Sequence, residues 1–363
     1  RRKAGRGVLR PALYTVAVFV AIGIPAALII ARVMGAQWAA VPAILALPAP
    51  AILAIFYGYQ IGIDRVRMNT SYALLNTAII LAFLLASFQI LGHRPEAAIV
   101  AWATGSDVFA LGALLWLIRD SRRLGMQAVS FREFLGYTMR AGAVSVISLL
   151  NYRADVFIVA SLGKPALLGM YTLAVTAAEM LLAATQVTAV VSSPQIGGIA
   201  STKAAAELTA RCVRNNLLIA FFTCAALWVV APFAVGLLYG AAFLPMIPAF
   251  RVLLIGVFAL SLGSPMSTYF TIRLGKPQIS MILAGLSAAI CIIVSLLTVR
   301  RFGLVGAALG STLGYAVGQT VAIATFLRIT ALAPSRVLMP RWSDITAYGH
   351  ASSHLLRRML RVA

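Results

Sequence analysis

A chain of 363 residues that is 61% hydrophobic and 11% charged, with a mean hydropathy of +0.95, is not a soluble globular domain. Its net charge of +21 sits in short clusters between apolar runs, which argues for topology signals and against a nucleic-acid surface. Cys212, Cys224 and Cys291 lack metal or redox spacing, and His93, His350 and His354 fall in loops or the tail, so no metal, disulfide framework or cofactor is expected.

The chain opens at Arg1 with the basic run RRKAGRGVLR in place of a signal peptide, and its natural start is expected upstream. Apolar runs bounded by charged or Gly/Pro-rich turns then predict about ten crossings of an all-α polytopic membrane protein. They fall near 11–33, 39–61, 71–92, 97–118, 134–162, 169–191, 215–238, 247–271, 279–299 and 304–328. With the first basic run cytoplasmic, loops on that side carry about 22 Lys and Arg, against about six on the other. That side includes Arg65 and Arg67, Arg119 to Arg123, the segment 203–214, Arg273 to Lys276 and the tail, so both ends of the chain are expected inside.

Residues 11–119 and 215–328 share a pattern at a period of roughly 207 to 213 residues. Pro25 matches Pro232 in the first helix of each part; Pro48 and Pro50 match Pro265 in the second; each part ends on a small-residue helix. Two further helices, 134–162 and 169–191, precede the second copy, and the first copy is expected to have equivalents before Arg1. The expected organisation is a two-lobed parallel-repeat transporter of twelve helices if complete, with substrate bound between the lobes. Here 1–119 is the remainder of the N-terminal lobe, 120–133 a cytoplasmic inter-lobe loop, 134–328 a six-helix C-terminal lobe and 329–363 a basic cytoplasmic tail. The end of that tail, HASSHLLRRMLRVA, reads as a short amphipathic helix on the lipid surface.

The stretch 134–195 accepts charges that an apolar layer penalises by roughly 2.5 to 3.5 kcal/mol each. Arg153 and Glu179 lie about ten residues from the turn GKPALLG on either side, roughly 15 Å deep, so they can pair. Arg140, Ser148, Asn151 and Asp155 share one helix face; Thr172, Thr176, Glu179 and Gln186 form a stripe on the next helix. These stripes are expected to wall a wet cavity, with helix docking as the other possibility. Asp107, midway along the fourth crossing, is either a coupling-ion site or a neutral hydrogen-bonded acid.

The run NYRADVFIVASLGKPALLGMYTLAVTAAEML resembles polysaccharide flippases of the multidrug, oligosaccharidyl-lipid and polysaccharide exporter superfamily, with Arg153, Asp155, Gly169 and Tyr171 at the family positions. SSPQI (192–196), LYGAAF (238–243), RLGKPQIS (273–280) and FGLVGAALGSTLGY (302–315) resemble the same family. The resemblance implies flipping of an undecaprenyl-diphosphate-linked oligosaccharide across the bacterial cytoplasmic membrane by alternating access, for envelope or exported polysaccharide. Glycosyltransferases or a polymerase of the same pathway would be its partners, beside membrane lipids. Arg140 and Arg153 offer forked donors to phosphate, and Ser148, Asn151, Thr176 and Gln186 offer hydrogen bonds to sugar hydroxyls. A cation-coupled multidrug antiporter of the same fold, a peptidoglycan-precursor flippase and a non-transporting scaffold remain as alternatives. No catalytic set or phosphate-cradling loop points to an enzyme.

Overall fold

The structure, a computed structural model, describes residues 9–33, 40–62, 66–92, 94–122, 147 and 149–341. Among them there are helices and turns but no strand, and seven helices are long and apolar enough to cross a membrane. The chain forms two compact units, Arg1–Ala141 and Gly142–Ala363.

In the first unit, α1 (Leu9–Val33) carries Pro25 inside the helix. The crossing expected at 39–61 is broken into α2 (Ala40–Leu45) and α3 (Pro48–Gly62). The cause is local. Pro48 has no N–H to continue α2 and its fixed φ suits the first turn of a new helix. Then α4 (Val66–Leu91) packs along α5 (Pro95–Arg122), where Gly105 lets the backbone of Ile80 approach to 3.0 Å of a would-be Cβ. Phe56 meets Tyr57, Tyr72, Phe109 and Trp116 edge-on or nearly so, with centroids 5.2 to 6.3 Å apart. Tyr59 Oη donates to Asp120 Oδ2 at 2.8 Å, which holds a carboxylate at the basic end of α5.

The second unit comprises α6 (149–160), α7 (Pro165–Gly198), α8 (Thr202–Leu238), a 3-10 turn (Ala241–Met246), α9 (Ile247–Ser261), α10 (Gly263–Thr268), a π turn (Tyr269–Arg273), α11 (Pro277–Thr330) and the short α12 (Pro334–Leu338). Both α7 and α8 outrun the expected spans. Ser201 caps α8 by accepting from the N–H of Ala204, and the Ala-rich stretch after it makes the expected cytoplasmic loop 203–214 helical. The crossings expected at 279–299 and 304–328 lie in one run, α11, which turns back at Gly303 (φ 57°, ψ −130°). That left-handed backbone is open to glycine at little cost.

Small residues close the hairpin of α11. A Cβ on Gly306 would sit 2.6 Å from the carbonyl carbon of Thr298; on Gly310, 2.7 Å from the amide of Ser295; on Gly314, 2.5 Å from the carbonyl of Ser287. Spaced four apart, these glycines let the two arms touch backbone to backbone, the source of association where lipid offers no hydrophobic drive. Outward, α8 presents Phe221, Phe222, Val229, Phe233 and Leu237, while its buried face carries Ala205, Ala206, Thr209, Arg214 and Asn216. Such an inverted pattern suits a lipid surround.

The crossing expected at 247–271 bends after Ser261. Pro265 has no N–H for the carbonyl of Ser261, and Asn216 Nδ2 supplies it instead at 3.0 Å. Thr188 Oγ1 donates in turn to Asn216 Oδ1, so the bend is tied to α7 and α8 together. Below it, Arg273 donates to the carbonyls of Ile199 and Ala200 at 2.7 and 2.9 Å and to Thr202 Oγ1 at 3.0 Å, which fixes the α7–α8 turn.

Replacing Gly310 by Leu is expected to force the α11 arms apart, costing about 1–3 kcal/mol or more. Gly112→Leu, where nothing lies within 4 Å of the would-be Cβ, is expected to be neutral. Thermal melts of the detergent-purified variants check this; equal melting of the two would refute the packing role.

Candidate functional site

The site grows from α6 and α7, joined through Gly163 at φ +66°. Asp155 faces inward and is 2% exposed. Its Oδ2 accepts from Tyr171 Oη at 2.7 Å and Ser311 Oγ at 2.6 Å, and its Oδ1 from the Val156 N–H at 2.8 Å. Three donors satisfy a carboxylate that lipid or protein interior would otherwise exclude. Through these bonds Asp155 ties α6, α7 and α11 together, and it borders a small hollow shared with Tyr152, Glu179 and Tyr315. Tyr171, the aromatic residue after Gly169, has its role in the same knot.

Arg153 points to the other side of α6. Its Nη2 donates to Glu179 Oε2 at 3.1 Å, so the pairing allowed by their equal depth is made. Both remain partly open, with side chains 39% and 28% exposed, and one of five guanidinium donors goes to Glu179 in that bond. The remaining candidates scatter. Thr176 is exposed and returns its hydroxyl to the carbonyl of Thr172 at 2.8 Å. Asp107, in α5 of the first unit, is exposed and makes no hydrogen bond or ion pair with a described residue. Arg140 and Ser148, like the tail 342–363, lie outside the described residues.

Asn151 and Gln186 come together on a cavity of about 330 Å³ inside the second unit. Its wall adds residues that sequence reasoning passed over: Thr185, Ser264, Ser267, Thr268, Thr271, Ser280, Ser287 and Gln319, with Leu182, Leu260, Phe270 and Leu283 between them. Among the described residues, no acidic or basic side chain lines it. Asn151 Oδ1, Ser287 Oγ and Gln319 Oε1 are buried without a hydrogen-bond partner, an expensive state unless something else supplies one. A signal was present, since Ser264, Ser267, Thr268 and Thr271 recur at i, i+3, i+4 and i+7, one helix face. Arg251 was also passed over; its guanidinium carbon stands 5.1 Å from the centre of the Trp228 ring.

A family model described as "Polysaccharide biosynthesis protein" matches residues 66–248, just over half of the chain. No curated protein matches significantly. Among solved structures, a MATE transporter in the straight conformation shares 18% identity at a TM-score of 0.72, over 90% of this chain and 79% of that one. The lipid II flippase MurJ, inward closed, shares 14% at 0.69, over 91% and 75%. A MOP superfamily transporter from Pyrococcus furiosus, for which reversed polarity of the binding pocket suggests a different function, shares 14% at 0.57, over 91% and 79%. At such identities the likeness shows the fold alone, and that fold is the one used by these transporters and this flippase. With the family model spanning parts of both units, the chain belongs to the polysaccharide biosynthesis protein family.

Proposed function

We propose that the protein flips an undecaprenyl-diphosphate-linked oligosaccharide from the inner to the outer leaflet of the bacterial cytoplasmic membrane by alternating access, for envelope or exported polysaccharide. The chain crosses that membrane many times with both ends in the cytoplasm, and receives its cargo from glycosyltransferases or hands it to a polymerase. Family membership supports the pathway, and the transporter fold supports the movement.

The observation that carries the reading is how charge is disposed in the second unit. Asp155 is consumed by Tyr171 and Ser311, and Glu179 is matched by Arg153. Among the described residues of that unit's interior, no carboxylate stands ready for a cationic drug. Arg153, half-open at mid-depth, keeps donors of the forked kind that suits a diphosphate. The polyprenyl tail needs no cavity, because it can trail in lipid. Arg140, which lies outside the described residues, is proposed from the sequence as a second cation for the diphosphate.

One observation favours a second reading. Asp107 is exposed and without a described partner in a membrane-spanning helix, as a coupling-ion or cation site would be. Coupling to protons or sodium in the flippase uses the same residue; a multidrug antiporter uses it for export.

In the full-length protein, Arg153→Ala is expected to lower surface polysaccharide tenfold or more. The charge-reversed pair R153E/E179R separates roles. It should restore protein level without restoring polysaccharide if Arg153 meets substrate, and full restoration of polysaccharide would reduce the pair to helix docking. For Asp107, Asp107→Asn is expected to lower polysaccharide while drug sensitivity of the strain stays unchanged; growth inhibition profiles over cationic dyes and antibiotics check this, and a broad rise in sensitivity would favour the antiporter.

A further inference from the structure

We propose that the uncharged cavity in the second unit is a sugar subsite, which takes a neutral, hydroxylated ring of the glycan and leaves the diphosphate to the arginines elsewhere. This deepens the flippase reading and rests on it.

The chemistry of the wall selects the ligand class. In a chain with a net charge of +21, no Lys or Arg lines this cavity among the described residues, so those residues give a diphosphate no grip in it. The described wall also lacks Asp and Glu, so it gives a cation no counter-charge. What it offers is a dense set of hydroxyls and amides interrupted by Phe270 and Leu283. A pyranose has the complementary surface, with a rim of hydroxyls that donate and accept and a C–H face that packs on apolar side chains. At about 330 Å³ the cavity is at the small end of ligand sites, enough for a ring and its substituents and too small for a chain of several sugars.

Unused bonding capacity points the same way. Asn151 and Ser287 are nearly fully buried, yet among the described residues Asn151 Oδ1 and Ser287 Oγ have no partner, and neither does Gln319 Oε1 on the opposite arm of α11. All three oxygens can accept from sugar hydroxyls. Space for Gln319 is itself arranged, because a Cβ on Gly263 would sit 2.6 Å from its amide carbon. Glycine at the start of α10 lets that side chain lie across the cavity.

Position adds direction. Ser267 and Ser280, whose hydroxyls are 3.1 Å apart, lie within about 10 Å along the helix axes of the basic turn at Arg273 to Lys276. Loop charge assigns that turn to the cytoplasm, the side on which the glycan is assembled. The subsite would therefore meet the sugar early, before the lobes change access.

The test measures binding of two probes to the purified protein: the glycan-bearing carrier extracted from cells in which the gene is deleted, and undecaprenyl diphosphate without sugar. Wild type is expected to prefer the glycan-bearing carrier. Gln319→Leu and Ser287→Ala are each expected to cut that preference by roughly three- to tenfold, the worth of one hydrogen bond. Gln186→Leu, at the exposed edge of the cavity where packing is not at risk, is expected to act in the same direction. An unchanged preference in all three variants, or no preference in wild type, would overturn the subsite and leave a flippase that reads only the diphosphate. Binding of neither probe by wild type would overturn the flippase reading and the subsite with it.

Discussion

Asp155 is only 2% exposed, and three donors make the burial of its carboxylate tolerable. The consequences run outward from this contact. With Asp155 turned toward Tyr171 and Ser311, the rotation of α6 is set, because a helix turns about 100° per residue. Arg153, two positions earlier, is thrown to the far side, where Glu179 meets it. Asn151, one full turn earlier on the same face as Asp155, is carried into the second unit and onto the polar cavity. One buried acid thus sorts its neighbours into a half-open ion pair and a neutral pocket.

The cavity also needs a broken helix. Pro265 removes one rung of hydrogen bonding after Ser261, Asn216 repairs the lost carbonyl contact, and α10 leaves α9 at Leu262. That break sets the stripe of Ser264, Ser267, Thr268 and Thr271 against the cavity. Gly306, Gly310 and Gly314 of α11 do the opposite work, bringing its two arms into backbone contact. Tight packing in one place and a proline-made bend in another leave a defined hollow in an otherwise apolar unit.

Much of the fold was legible because hydropathy and length report directly on a membrane span. Less legible was where a span breaks: Pro48 and Pro265 stood out as markers of the repeat, but the repair of the second bend by Asn216 depends on a residue 45 positions away. Arg153 and Glu179 could be paired from depth alone, since both count from the same turn. The helical face of Asp155 did not reveal its bonding partners, Tyr171 and Ser311, because a polar stripe looks the same whether it meets water or a tyrosine. The hydroxyls of the cavity were overlooked for a related reason. Ser and Thr in membrane helices commonly bond to their own backbone, as Thr268 and Thr271 do to the carbonyls of Ser264 and Ser267, so their presence alone is weak information.

Under the proposed function, the second unit would handle a charged, hydrated cargo by dividing it, with guanidinium groups for the diphosphate and neutral oxygens for the sugar. The most direct measurement is movement itself. The purified full-length protein is reconstituted in liposomes with the glycan-bearing carrier confined to the inner leaflet, and a membrane-impermeant glycosidase is added outside. The expected result is protein-dependent cleavage of the inner pool well above the rate in protein-free liposomes. Cleavage at the protein-free rate, with the protein folded and inserted, would contradict the central claim.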